Sequence, residues 1–240
     1  SLDVEEPDDV PFAIPEKWKW VRLGELVIPC SQKVPDKKFN YIDVSSIDNK
    51  KHKLGEVKIT LPENAPSRAR KIVKNGMVIY STVRPYLLNT CIIDGDFSDE
   101  IICSTAFVAV ECKDIVLNGY LLDVLISPYF CEYVKDIQKG VAYPAITDKG
   151  FYSALFPLPP LEEQRRIVAR LDEILPLIES YGKAHDALEA VEKALPDKLR
   201  ASLLQEAISG RLVPQLDEEP AVSLDVEEPD DVPFAIPEKW

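Results

Sequence analysis

Arg84 offers the most specific chemistry in this sequence. It stands in the run Ser81-Thr-Val-Arg-Pro-Tyr86, where a guanidinium can make a bidentate contact to guanine. Ser81 and Thr82 can donate or accept at phosphates and base edges, and Tyr86 can pack against sugar or phosphate. Lys139-Gly-Val-Ala-Tyr143-Pro adds a basic and an aromatic group on a glycine-hinged loop. Two further clusters, Lys50, Lys51, His52 and Lys53, then Arg68, Arg70 and Lys71, are of the kind that neutralises phosphates with salt-dependent affinity. The bland alternatives stand beside these readings. Lysine runs also serve as solubilising loops, and Tyr86 and Tyr143 could equally pack in a core.

Catalytic patterns are sparser. Pro35-Asp36 followed by Glu56-Val57-Lys58 matches the string of metal-dependent nucleases, in which two carboxylates hold Mg²⁺ and a lysine assists the attacking water. Asp36, Glu56 and Lys58 are therefore kept as an alternative reading. The spacing is loose and the residue types are common. His52 and His185 have no nearby Cys or His partner, so solvated surface histidines are the default. There is no G-x-S-x-G elbow, no Walker loop and no Asn/Asp-Pro-Pro-aromatic methyltransferase motif. The chain reads as non-catalytic, with no cofactor and no metal.

The net charge of −13 argues against nucleic acid until its distribution is examined. Residues 19–93 hold fourteen basic and six acidic residues, a local basic face of the sort a DNA footprint needs. Residues 161–222 hold eight basic and thirteen acidic ones. No apolar run approaches the roughly 18 residues of a membrane span, and the acidic start does not resemble a signal peptide. Five scattered cysteines without a C-x-x-C pair point to a reducing cytoplasm.

Positioning these groups requires a mixed domain and then a helix. Residues 1–18 recur without a change at 223–240, so the chain reads as one unit of a tandem protein plus the start of the next. Residues 1–14 form an acidic linker and start of repeat, 15–157 a mixed α/β (α+β) domain, 158–213 a helical spacer, and 214–240 an acidic linker with the next repeat's start. Strands are expected over 41–47, 76–83 and 105–111. A short basic helix is expected over 68–74, capped by Ser67, and a helix over 118–135 interrupted at Ser127-Pro128. After Pro159-Pro160 a long coiled-coil-type helix carries Ile167, Leu171, Ile174 and Ile178, and Leu188, Leu195 and Leu199 resume its stripe. Pro176, Gly182 and Pro196 should kink or split it. Such a narrow stripe wants another helix beside it.

Four segments carry a family resemblance. The run from Pro157 to Asp172, Pro-Leu-Pro-Pro-Leu-Glu-Glu-Gln-Arg-Arg-Ile-Val-Ala-Arg-Leu-Asp, resembles the junction between target-recognition domain and conserved helix in the specificity (S) subunits of type I restriction–modification enzymes. So do the opening 14–26, the strand 76–88 and the close 204–213. The resemblance implies a single-repeat form of a subunit that carries two such units. It implies a DNA-binding, non-catalytic chain reading half of a bipartite target. It also implies docking to modification (methyltransferase) subunits and, through them, to restriction subunits. A lone unit leaves the stripe uncovered, and an antiparallel homodimer through Ile167, Leu171, Ile174, Ile178, Leu188, Leu195 and Leu199 is expected to cover it.

Overall fold

Val78, Ile79 and Tyr80 are all buried, and this unbroken apolar run dictates the layer order. A strand buried on both faces must lie in a middle layer. The computed structural model describes residues 10–140, 142–223, 233–237 and 240. Half of the first copy of the terminal repeat and most of the second lie outside the described residues.

The chain begins with β1 (Lys19–Arg22), a short α1 (Leu23–Leu26), β2 (Val27–Pro29) and β3 (Phe39–Ile42). A hairpin of β4 (Ile47–Asp48) and β5 (Lys53–Leu54) leads to β6 (Lys58–Thr60), β7 (Ala69–Val73), β8 (Val78–Ser81) and β9 (Thr90–Ile92). Then come β10 (Glu100–Ser104), β11 (Phe107–Cys112), α2 (Asn118–Ile126), α3 (Pro128–Ile137), α4 (Asp148–Tyr152), β12 (Leu155–Leu158) and α5 (Leu161–Ile208). Two four-stranded sheets result, β6-β3-β10-β7 and β2-β11-β8-β9. All pairs in them are antiparallel except β3 with β10. This is the expected α+β class followed by a long helix.

Period-two alternation sorts the side chains between layers. Ile79, Phe107 and Ala109 join Ile42, Val73, Ile101 and Cys103 in the core between the sheets. Val78, Tyr80, Val108 and Val110 face the other way, onto Leu121, Leu125, Phe130 and Phe151 of the helices. β1 pairs with β12 from Lys19↔Leu158 to Arg22↔Leu155, so the two ends of the domain lie side by side. Tyr120 and Tyr129 fasten this seam by donating their hydroxyls to the Pro157 and Leu155 carbonyls at 2.9 and 3.0 Å.

Two local expectations change. Residues 68–74 hold a strand, not a helix, because Ala69, Lys71 and Val73 alternate inward and β7 finds the edge of β10. The strand expected over 41–47 ends at Ile42, where Asp43 caps a 3₁₀ turn by accepting from the Ser45 N–H. The break at 127–128 is as expected, with Ser127 Oγ accepting from the Phe130 N–H to cap α3.

Helix α5 is not split. It runs for 48 residues with Pro176 and Pro196 inside it, held by flanking Ala, Leu, Glu and Lys of high helix propensity. Its first turns belong to the first compact unit, which ends at Asp172. Gln164 is fully buried there. Its Oε1 accepts from the Leu117 N–H at 2.9 Å, and its Nε2 donates to the Ile115 and Pro159 carbonyls at 3.0 and 2.9 Å. Beside it Gly119 admits Val168 so closely that a Cβ would come within 3.1 Å of Val168 Cγ1. Ile167 and Val168 pack on the same core. Ile167 therefore seals its own domain and leaves the expected dimer stripe.

The second unit starts at Glu173. Its helix closes on Ser209, whose Oγ donates to the Gln205 carbonyl at 2.8 Å. Gly210 follows at φ 68°. The Arg211 N–H reaches back to the Glu206 carbonyl at 2.9 Å and the Gly210 N–H to that of Ala207 at 3.1 Å, the paired bonds of a Schellman stop. The Arg211 guanidinium grips the Glu206 carboxylate through Nε and Nη2 and holds it below the usual carboxylate range. No helix among the described residues is long and apolar enough to cross a membrane.

Candidate nucleic-acid interface

Strand register brings separate loops to one end of the sheets. β3 and β10 run parallel and leave together at Ile42 and Cys103. β7 starts at Ala69 against Ser104, while β8 ends at Ser81 against Phe107. The segments 43–55, 66–68, 82–89 and 104–106 therefore emerge from the same end. Segment 139–146 joins them through the bridges Val83↔Ala145 and Lys139↔Ala145.

Backbone bonds stitch this loop surface together. The Arg84 N–H donates to the Pro144 carbonyl at 2.8 Å and the Ile146 N–H to that of Thr82 at 3.0 Å. The Thr105 N–H reaches the Arg68 carbonyl at 2.8 Å. Asn49 donates its side-chain amide to the Leu87 carbonyl at 2.8 Å, which ties the lysine turn to the arginine loop. Asn49 was not among the sequence candidates. Its partner is a carbonyl 38 residues away, and no local pattern reports such a bond.

The Arg84 loop is strained. Arg84 and Leu88 sit at φ 48° and 52° on either side of a 3₁₀ turn, Pro85–Leu87. Non-glycine residues in this left-handed region each cost about 1–3 kcal/mol and gather where the surroundings over-determine a functional loop. The strain aims the guanidinium outward, with its Cζ 5.0 Å from the centroid of the Tyr143 ring. Tyr143 is 70% exposed and Tyr86 61%. The core-packing alternative for both tyrosines is thereby removed.

The lysine turn is built by Asp48. Its Oδ1 accepts from the backbone N–H groups of Lys50 and Lys51, both at 3.1 Å. These bonds, Lys51's first, hold the Asp48 carboxyl below its ordinary range. His52 takes the left-handed position at φ 50°, and its Nδ1 is buried with no protein partner. Lys50, Lys51, Lys53, Arg68, Arg84 and Lys139 are all exposed, and none forms an ion pair among the described residues.

Four sequence candidates do not join this surface freely. Lys71 is 4% exposed, and its ammonium donates inward to the Phe107 carbonyl and to Asp148 at 3.2 Å. Ser81 donates its hydroxyl to the Val83 carbonyl, and Thr82 donates its own to that of Ala106, both at 2.9 Å. Both residues are buried, so these three are structural supports and not DNA contacts. Arg70 is half-buried and donates to the Ala69 carbonyl at 2.8 Å.

The nuclease pattern is not assembled. Phe39 pairs with Thr60 and Tyr41 with Lys58, so Asp36 precedes one end of the β3–β6 pair while Glu56 and Lys58 lie at the other. Asp36 is bound to Lys33 at 2.8 Å. Among the described residues no group of three His, Cys, Asp or Glu side chains could hold a metal ion.

Comparison with known proteins gives this surface a context. The sequence model described as "Type I restriction modification DNA specificity domain" matches residues 15–190. The specificity subunit of the type I restriction enzyme HindI from Haemophilus influenzae is 30% identical over 185 residues, 74% of this chain and 39% of that protein. The corresponding EcoDI subunit from Escherichia coli is 26% identical, covering 85% of this chain and 44% of that one. Among solved structures, the HsdS subunit from Thermoanaerobacter tengcongensis superposes with a TM-score of 0.66 at 34% identity, over 82% of this chain and 50% of that chain. A chain from a solved type I R-M system gives 0.73 at 34%, over 80% and 51%. This chain thus spans 39% and 44% of the two curated relatives named.

Proposed function

The chain belongs to the type I restriction–modification DNA specificity family, and from that premise we propose that it reads one half of a bipartite DNA target through the loops gathered around Arg84. The carrying observation is the convergence of Arg84, held against Tyr143, with exposed lysines that form no ion pair among the described residues, on one end of the sheets. Arg84 and Tyr86 meet base edges or the backbone beside them. Lys50, Lys51, Lys53, Arg68 and Lys139 lie against phosphates, with His52 supporting the turn. The chain supplies specificity and no catalysis. Modification (methyltransferase) subunits dock on it and connect it to restriction subunits. Five free cysteines suit a cytoplasmic setting.

Two copies pair through α5. Ile178, Leu188, Leu195 and Leu199 are exposed, and Leu171 and Ile174 are half-exposed. They follow a 3.5-residue seam with Tyr181. An antiparallel register that sets Leu171 against Leu195 and Ile178 against Leu188 also lays Leu161 opposite Gln205. Nearly the whole helix is then overlapped, and one recognition unit stands at each end. Two identical units under a two-fold axis read an interrupted palindrome.

The test is a methylome of cells expressing this chain with its cognate modification subunit. Methylation at a two-part palindromic site is expected. A methylated site with unrelated halves would refute the symmetric pairing, and no site-specific methylation would refute the specificity role.

A further inference from the structure

The Arg84 loop is anchored at both ends to other segments of the chain. At its start the Arg84 N–H donates to the Pro144 carbonyl at 2.8 Å. At its far end the Leu87 carbonyl accepts from Asn49 Nδ2, also at 2.8 Å. Between these anchors lies the 3₁₀ turn Pro85–Leu87, with Arg84 and Leu88 in the left-handed region on either side. Non-glycine residues keep that conformation only where their surroundings over-determine it. Loss of either anchor therefore frees the loop to relax.

Asn49 is itself firmly placed. Asp48 Oδ1 accepts from the N–H groups of Lys50 and Lys51, both at 3.1 Å, and so closes the turn around Asn49. The hairpin that carries this turn is fastened at Ile47↔Leu54 and Asp48↔Lys53. Its strand β5 packs beside β9, the strand that follows Leu88. Hairpin and loop thus share a common base, and the Asn49 amide ties them again near their tips. Within the turn the residues divide. Lys50 and Lys51 are exposed, whereas Asn49 is half-buried and spends its amide on the neighbouring loop.

We propose that Asn49 is a positioning residue for base reading, which holds the far end of the strained turn so that Arg84 presents its guanidinium in one orientation. This role rests on the reading of DNA by Arg84 proposed above. Asn49 brings no charge, and its effect passes through Arg84. Without its bond Leu88 is free to leave the left-handed region, the turn relaxes, and the guanidinium samples several directions. An arginine that samples directions meets a wrong base nearly as well as the right one. Discrimination then falls further than affinity for DNA in general.

The test is binding of the chain, together with its modification subunit, to duplexes that carry the methylated motif and to single-base variants of it. Asn49→Ala should lower discrimination roughly two- to tenfold, the worth of one net hydrogen bond. The loss should fall at the position that Arg84→Ala relaxes, with the salt slope unchanged. Asn49→Asp, which keeps the size of the side chain but removes the donor, should lose discrimination to the same extent. Adding Asn49→Ala to Arg84→Ala should cause no further loss, because both act through one contact. A loss spread evenly over all duplexes, or one that adds in full to that of Arg84→Ala, would overturn the positioning role. If Arg84→Ala relaxes a position and Asn49→Ala does not, the positioning role alone falls. If Arg84→Ala itself leaves discrimination intact, base reading by Arg84 falls first and takes the role of Asn49 with it.

Discussion

Arg84 and Tyr143 act as a pair, and their separate removal should have separate signatures. If Arg84 reads a base, Arg84→Ala costs about 1–3 kcal/mol on the cognate site and relaxes the methylated motif at one position. Tyr143→Ala leaves the guanidinium in place without its ring, so a smaller loss of about 0.5–1 kcal/mol is expected at that same position. Binding measured on a panel of single-base variants distinguishes this from a phosphate contact, whose loss would be uniform. Replacing Lys50, Lys51 and Lys53 by Ala should weaken all sequences alike and flatten the slope of log affinity against log salt by up to roughly 0.9 per lost contact. An unchanged slope would make the turn a solvated loop. At this scale the sequence discloses residue type but not residue facing. Arg84 and Lys71 look equally suited to DNA on paper. Only the inward alternation of β7 and the acceptors at Phe107 and Asp148 separate an exposed candidate from a buried strut.

Among the elements, β8, α3 and α5 were legible because continuous burial, a Ser-Pro cap and a helical stripe leave local marks. The strand at Ala69–Val73 was not, since five residues of mixed type have no period long enough to distinguish helix from strand. Its conformation comes from pairing with β10, a partner distant in sequence. The α2–α5 contact was equally silent, and it holds a pH-sensitive feature. Asp123 on α2 is pushed up to about 6, first by burial and then by the charge of Asp172. A carboxyl raised in the fold binds more protons folded than unfolded, so its charge costs stability as pH climbs from the ordinary carboxylate range through about 6. Asp123→Asn should therefore raise the melting temperature at pH 7.5 and change it little at pH 4. Equal shifts at both values would remove Asp123 from the pH dependence. Gln164→Leu, which leaves the Leu117 N–H and the Ile115 and Pro159 carbonyls without their partner, should destabilise by about 2–3 kcal/mol in denaturant melts.

For the whole molecule, the proposed pairing would make the length of α5 a ruler along DNA. Deleting seven residues between Ile174 and Leu188 keeps the 3.5-residue seam in phase and, with Leu171 still set against Leu195 of the second copy, brings the two units about 10 Å closer. The gap in the palindrome should contract by about three base pairs while both half-sites stay the same, a result that motif sequencing reads directly. A changed half-site would show that the helix shapes the reading loops as well as spacing them. The proposed pairing rests on the same stripe that the sequence showed, less one residue. The apolar stripe announced a missing partner, but Ile167 had to be reassigned once its burial against the recognition core was seen.

The β1–β12 pair has an evolutionary corollary. Because Lys19 lies opposite Leu158, the segments proposed to read DNA all lie between two neighbouring strands. A different recognition unit with the same two flanking strands can be grafted there by recombination without disturbing the ruler. New sequence preferences can then arise in one exchange, not through a slow series of loop substitutions. On the proposed function, hybrids joined within the four residue pairs of this strand pair should inherit the specificity of the donor and the spacing of the host.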